Sequence, residues 1–395
     1  MVSFHLQASK IQVGIEHSFN SLILDEKREI QVYVPDSYYK DIKRYPVIYV
    51  MDSQRYFLHA IAHQQSLTFQ DRTPEFIVVG IKTDNQNRRK WLSSDSKPFM
   101  NFLKSELIPW VSTNYRTSGE RLYFGWEMAA GLVPDLIATH PELFQAFFMA
   151  SPTHINQARI SNLQNYLRKS QSKHFIYVTL GDVETWSITG IESLKEVFIN
   201  HAKDTIEWNY DLVPDQDHYT TPLITIDTGL LTYFKNYPPL RFYTLAEFKK
   251  FGGLSAVKQH YKIRAERFDV NSDIHHDTKH YLLNQALKEN DLQLFSSLAG
   301  EFEGFIEGNY NRDFWFERFA NAFVQLGNFD QALKILSQGI KKLPNSAKLY
   351  SALGNLYQKQ SNFDLAKVAY EKALSLSPKN GEKYKQTQLL LNSLN

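Results

Sequence analysis

The sequence predicts an α/β domain followed by an all-α domain, and three observations carry that expectation. Up to about residue 236, short β-branched or aromatic runs alternate with longer amphipathic ones; at Tyr237-Pro238-Pro239 the alternation stops; beyond it the chain reads as helices punctuated by turns. A length of 395 residues suits two domains better than one.

In the first part, strands are expected at 11–15, 19–24, 29–34, 46–51, 76–81, 121–124, 146–149, 175–180 and 206–212. The first three follow one another too closely for intervening helices, so they should be antiparallel. From Pro46 onward helices intervene, near 55–68, 98–114, 127–140, 158–169, 187–202 and 220–236. Right-handed crossovers then give a mostly parallel sheet with helices on both faces.

Composition narrows the function. With 27 Phe, 22 Tyr and 6 Trp there is material for two buried cores, which argues against extended disorder. Lys+Arg 44 against Asp+Glu 42 leaves a formal charge of +2, too small for a protein that coats nucleic acid or an anionic bilayer. Neither nucleic acid nor membrane is therefore expected as a partner. Zero Cys excludes a disulfide framework, thiolate metal sites and a Cys nucleophile. No apolar run is long enough to span a membrane, and Met1-Val2-Ser3-Phe4-His5-Leu6-Gln7 lacks a basic leader, so the expected location is cytoplasmic.

The helical part contains a repeat. Leu353-Gly354, Tyr357, Phe363, Ala366, Tyr370, Ala373 and Pro378 superimpose on Phe319-Ala320, Phe323, Phe329, Ala332, Leu336, Gly339 and Pro344 at a constant offset of 34 residues. Period and phase resemble the tetratricopeptide helix–turn–helix, in which small residues let paired helices approach and Pro closes the second helix. The clean repeats span 313–346 and 347–380. Two repeats bury too little alone, so a degenerate unit at 277–312 and a capping helix at 381–395 are expected to complete a domain over 277–395. Residues 240–276 read as a connector, expected to pack on the first domain, 1–239.

Chemistry concentrates at Arg121-Leu122-Tyr123-Phe124-Gly125-Trp126-Glu127-Met128-Ala129-Ala130-Gly131. A strand leads into a sharp turn of small–x–acid–x–small form and then a helix. In an α/β-hydrolase this turn is the nucleophile elbow, where small flanking residues expose the central side chain at the sheet edge. Here the centre is Glu127. The surroundings resemble the esterase D and ferric-enterobactin-esterase group: Tyr45-Pro46-Val47-Ile48-Tyr49-Val50-Met51-Asp52 with Phe57, Val79-Gly80-Ile81 with Arg88, Glu106-Leu107-Ile108-Pro109, His140-Pro141-Glu142-Leu143-Phe144, and Ala150-Ser151-Pro152. Several members of that group carry C-terminal tetratricopeptide repeats, so the resemblance covers nearly the whole chain.

The resemblance implies an α/β-hydrolase fold and an ester-type small molecule as substrate or ligand. It also implies a triad in the order nucleophile, acid, His. The acid falls in Leu180-Gly181-Asp182-Val183-Glu184, with Glu184 favoured and Asp182 beside it; the His falls in Pro214-Asp215-Gln216-Asp217-His218-Tyr219, giving His218. Oxyanion donors would come from Met128 and from the loop after Asp52, Ser53-Gln54, where the family usually has Gly in place of Ser53. Phe57, Arg88, Trp91, Trp126 and Trp186 are candidate pocket residues, with Arg88 suited to an anionic group.

The leading expectation is an esterase-like hydrolase acting on ester or related bonds, with Glu127 at the nucleophile position and His218 plus Glu184 or Asp182 completing the triad, but Glu127 leaves two chemistries open. A carboxylate at an elbow can form an ester intermediate that His-activated water releases. Alternatively, Glu127 pairs with His218 and the fold is catalytically silent, binding a ligand or partner. Trp126 and Ala129 also depart from the family's His and Gly, so the elbow is a coherent variant. Ser151 ends a neighbouring strand without an elbow and reads as structural. His59/His63 and His276/His280 have helical i,i+4 spacing but no third ligand, so no metal or other cofactor is expected. The tetratricopeptide groove offers a site for a peptide or protein partner, or for self-association.

Overall fold

The structure is a computed structural model that describes residues 13–83, 86–170, 172–202, 206–379 and 381–394. The described chain divides into two units at Pro238/Pro239.

The first unit is organised by strands that are apolar on both faces. β3 (Tyr45–Met51), β4 (Ile77–Ile81), β6 (Ala146–Ala150) and β7 (His174–Gly181) are buried along their whole lengths, as strands covered by helices on two sides must be. With β1 (Ile15–Ser21), β2 (Glu26–Tyr33), β5 (Thr117–Trp126) and β8 (Ile206–Val213) they form one sheet of order β1-β2-β4-β3-β5-β6-β7-β8. β1 and β2 run antiparallel to their neighbours, and all pairs from β4 to β8 are parallel. The half-exposed pattern of β8 is that of an edge strand.

Of the three N-terminal strands expected from sequence, the structure shows the hairpin β1–β2. Its turn is held by Glu106, which accepts from Ser21 Oγ (2.6 Å) and from the backbone N–H groups of Leu22 and Ile23. The earliest expected strand, 11–15, falls partly outside the described residues.

Helices cross between the strands: α1 (Ser53–Phe69), α2 (Lys97–Phe102), α3 (Ile108–Asn114), α4 (Met128–Gly131), α5 (Val133–Thr139), α6 (Gln157–Leu167), α7 (Ile188–Val197) and α8 (Thr221–Tyr233). Three expected continuous helices are interrupted: 187–202 widens to a π turn at Phe198–Ala202, and the other two change at a Pro. Leu103–Leu107 between α2 and α3 widens to a π turn just before Pro109, which has no N–H to return to the preceding turn. Pro134 sits in the first turn of α5, separating it from α4.

The second unit is helical: α9 (Leu245–Phe251), α10 (Gly253–Phe268), α11 (His276–Lys288), α12 (Leu292–Glu301), α13 (Phe305–Asn309), α14 (Asp313–Gln325), α15 (Phe329–Lys342), α16 (Ala347–Lys359), α17 (Phe363–Leu376) and α18 (Glu382–Asn392). Asn328, Ser346 and Asn362 cap α15, α16 and α17 by accepting from the backbone N–H three residues on. The small positions serve close packing: a Cβ on Gly354 would lie 2.4 Å from the Tyr370 ring, and one on Gly339 2.8 Å from Phe316. The connector departs from expectation. Phe242, Phe248, Val257 and Tyr261 are buried in the same apolar cluster as Leu282, Phe295 and Phe319, so 240–276 begins the helical unit's own core.

Candidate active site

Six candidate side chains in the first unit lie beyond the C-terminal ends of successive parallel strands. Asp52 follows β3, Arg88 lies in the segment after β4, Glu127 follows β5, Ser151 follows β6, Glu184 follows β7 and His218 follows β8. In an open α/β sheet this edge is where ligands bind. The backbone there is strained: Asp52, Glu127, Ser151, His154 and Asp215 all have positive φ.

The elbow is formed as its small residues require. Glu127 has φ 56° and ψ −119° and opens α4. A Cβ on Gly125 would lie 2.7 Å from the backbone of Ala129 and Ala130, so strand and helix could not meet there with a larger residue. The Glu127 carbonyl accepts from Gly131 N (2.9 Å) and from Thr153 N (3.1 Å), tying the helix to the segment after β6. A Cβ on Gly131 would stand 1.7 Å from Thr153 O. Gly131→Ala should therefore cost roughly 3 kcal/mol or more, read as a lower urea midpoint at unchanged slope.

The Glu127 side chain is committed to Arg88, with Arg88 Nη1 donating to Glu127 Oε2 at 2.7 Å. The same guanidinium binds Asp52 twice, Nε to Oδ1 and Nη2 to Oδ2, both at 2.7 Å. Asp52 is 1 % exposed and also accepts from the Thr83 hydroxyl. One cation thus bridges two carboxylates in fork geometry, and the paired carboxylates hold its pKa above the usual arginine value despite burial. The pairing of Glu127 with His218, open in the sequence, is not what forms.

His218 is instead oriented by Glu184. His218 Nδ1 lies 2.7 Å from Glu184 Oε2. An ionised carboxylate only accepts, so Nδ1 carries the proton and Nε2 is left as the acceptor. Glu184 is wholly buried. Its Oε1 accepts from Ser151 Oγ (2.5 Å) and from Gly181 N (2.9 Å), and Ser151 Oγ in turn accepts from Thr221 Oγ1 at 2.6 Å. Burial opposes ionisation of Glu184, but the hydrogen bonds from His218, Ser151 and Gly181 outweigh it and hold its pKa below the ordinary value of 4.5.

The folded-state pKa is depressed, so this stabilisation is complete above the ordinary value and is lost as pH falls through the lower folded value. Glu184→Gln should flatten that part of the acid limb when urea midpoints are compared over roughly pH 3 to 6.

The structure separates the two candidate acids. Asp182 is exposed, and its carboxylate makes no hydrogen bond among the described residues. Ser151, with no exposed surface, supports Glu184 and is not poised to attack a substrate. Of the oxyanion candidates, Met128 and Ser53 begin α4 and α1, where amide groups have no intrahelical acceptor. The Gln54 side chain is used structurally, accepting from Thr83 N at 3.2 Å.

A cavity of about 420 Å³ opens beside the elbow, with Glu127, Thr153, His154, Trp186, Ser187 and His218 in its lining. Trp186 is 65 % exposed and meets the His218 ring edge-on at 6.2 Å. The expected pocket residues Trp126 and Arg88 are not in that lining: Trp126 is buried, its Nε1–H donates to His218 O (2.7 Å), and the guanidinium carbons of Arg55 and Arg88 lie 5.7 and 5.6 Å from its ring centroid. Two more expected pocket residues are corrected. Phe57 is buried against Gly14 and Gly80, and Trp91 is buried with its Nε1–H on Glu26, so both are packing residues. Sequence reasoning missed Thr221, Ser187 and His154 and the anchoring of Arg88 by Asp52; Asp52 alone left a trace, as the polar residue ending an apolar strand.

The histidines of the two i,i+4 pairs have partners outside the pairs, and His276 lies with His275 and Asp277. His63 meets Asp227 and His280 meets Tyr310.

This combination of a mostly parallel sheet, a strained elbow after β5 and a His–carboxylate pair after the last two strands defines an α/β-hydrolase. Residues 21–185 match the family model described as putative esterase, and residues 320–361 and 347–380 match tetratricopeptide repeat models. The chain thus has an α/β-hydrolase fold, whose residues 21–185 are similar to the esterase family, followed by a helical region with tetratricopeptide repeats. Among solved structures it is similar to an IroE-like serine hydrolase from Shewanella oneidensis (17 % identity, TM-score 0.56, covering 73 % of this chain and all of that one). It is also similar to an uncharacterised protein from Capnocytophaga ochracea (17 %, 0.56, 96 % and 99 %) and to the siderophore hydrolase EstB of Aspergillus nidulans (16 %, 0.50, 60 % and 100 %). No curated protein matches the chain. Among the described residues no helix is long and apolar enough to cross a membrane.

Proposed function

We propose that the esterase-family domain is a ligand-binding pseudo-hydrolase. It keeps the cavity and the His–carboxylate pair of an ester hydrolase but has no acyl-transfer nucleophile. The observation that carries this reading is the 2.7 Å ion pair between Glu127 and Arg88. A carboxylate held as an ion pair attacks an ester carbonyl poorly. Glu127 shares its charge with a guanidinium that Asp52 already fixes, and its attack on an ester would yield an anhydride less stable than the ester itself. Nor does it offer His218 a hydroxyl proton to remove.

A second reading has one observation in its favour. Glu184 and His218 are braced by Ser151, Thr221 and Gly181 N, support that a general base needs and a binding pocket does not. On that reading the domain hydrolyses ester or related bonds with Glu127 as nucleophile, and His218 activates the water that releases the intermediate. Activated short-chain esters presented to the wild type, Glu127→Ala, Glu127→Ser and His218→Ala decide between them. Wild-type turnover that disappears in Glu127→Ala would establish the second reading.

We assign the helical unit to binding a peptide or protein, a second copy of the chain included; its tetratricopeptide match supports this.

A further inference from the structure

We propose that the cavity beside the elbow takes the protonated amine end of a small molecule, with Glu127 as its counter-ion and the Trp186 indole as its wall. The proposal rests on the pseudo-hydrolase reading and deepens it by naming the ligand's chemistry.

The argument begins with what a carboxylate does at an elbow. The position is built to face a developing oxyanion, which amide donors at a helix start would stabilise. A fixed carboxylate there reverses the complementarity: it repels ester oxyanions and carboxylates and attracts a hydrogen-bond donor or a cation. Only Oε2 of Glu127 is taken by Arg88; the other oxygen makes no hydrogen bond among the described residues, and the side chain remains 24 % exposed where it lines the cavity.

The surrounding charges point the same way. Two carboxylates, Asp52 and Glu127, share the single guanidinium of Arg88, Glu184 sits behind His218, and Arg159 is paired with Asp135 at 2.8 Å. Carboxylates therefore outnumber cations in these pairings, and Glu127 is the one carboxylate among the described residues of the cavity lining. Arg55 and Arg89 are exposed, where solvent and salt screen them. His154 adds no cation at neutral pH, because burial lowers its pKa, helped by Arg89, Arg159 and Arg88 against the pull of Glu127.

Two further groups suit an amine. Trp186 is 65 % exposed and lines the cavity, offering an aromatic face of the kind that attracts ammonium groups. Ser187 lines it too, is 7 % exposed, and its buried Oγ has no hydrogen-bond partner among the described residues. A volume of about 420 Å³ admits a single aromatic ring with an aminomethyl arm.

Three probes of one shape test this: benzylammonium, benzyl alcohol and benzoate, titrated calorimetrically into the full chain at low salt. The wild type should bind benzylammonium at least about tenfold more tightly than either of the others. Glu127→Gln should bring the three together, and Trp186→Ala, a change at an exposed side chain, should weaken benzylammonium several-fold while sparing the thermal transition. Equal affinities in the wild type, a preference for benzoate, or no binding of any probe would overturn the proposal. If Glu127→Gln does not fold, the wild-type series and Trp186→Ala still decide. The pseudo-hydrolase reading fails on a different result, Glu127-dependent ester turnover, so the two failures are distinguishable.

Discussion

Replacing Glu127 by Ser is expected to turn this protein into an ester hydrolase, raising the rate on an activated short-chain ester at least about a hundredfold above the wild type. The backbone needed for this is already in place. Position 127 sits at φ 56° and ψ −119° whatever side chain it bears, because Gly125, Ala129 and Gly131 set the approach of strand and helix. His218 is already oriented, with Nδ1 on Glu184 and Nε2 available to take a hydroxyl proton. Removing the Glu127 carboxylate does not free Arg88, which keeps both bonds to Asp52. Trp126 and Ala129 remain in the variant and should hold the gain below that of a natural serine esterase. Adding His218→Ala to Glu127→Ser should return the rate to background. If the double variant stayed as fast as the single one, the new activity would not come from a triad, and Glu184 and His218 would be structural only.

How much of this was legible in the sequence follows from the range of the interactions involved. β3 was legible because a run apolar on both faces has one place in an α/β sheet. The elbow was legible because its small residues are local to it. The break before α3 was written at Pro109, but hydrophobic spacing alone favours one helix through 98–114. Glu184 and Asp182 could not be separated by spacing. The turn that returns Glu184 N to Gly181 O (3.0 Å) buries one carboxylate and exposes the other, and that is a property of three-dimensional packing. The partner of Glu127 was beyond reach for the same reason. Asp52, Arg88 and Glu127 lie in three loops that only the order β4-β3-β5 brings together. Phe57 and Trp91 illustrate the converse error: an aromatic near a motif in sequence packs wherever its own strand or helix faces.

The bridge from Glu127 through Arg88 to Asp52 also supports the fold, so Arg88→Met is expected to be among the most destabilising single substitutions in the first unit, at about 3–5 kcal/mol. Met matches the length of the arginine stem and loses the charge. Asp52 is 1 % exposed and would keep the Thr83 hydroxyl while losing both guanidinium bonds, leaving a buried carboxylate without a counter-ion. Glu127 is 24 % exposed, so water can replace part of what it loses. The asymmetry predicts the rescue: Asp52→Asn in the Arg88→Met background should recover more of the loss than Glu127→Ala does. Arg88→Lys should fall between wild type and Met, because one ammonium cannot bind Asp52 in a fork and still reach Glu127. Urea unfolding of the five proteins at neutral pH measures all of this. An Arg88→Met protein as stable as the wild type, or equal rescue by the two second substitutions, would mean that the guanidinium is held by its neighbours without holding them. The expected result would place Asp52–Arg88 in the frame of the fold and Glu127 as a residue added to that frame, which explains how serine chemistry can be absent from the elbow while the site around it keeps its shape.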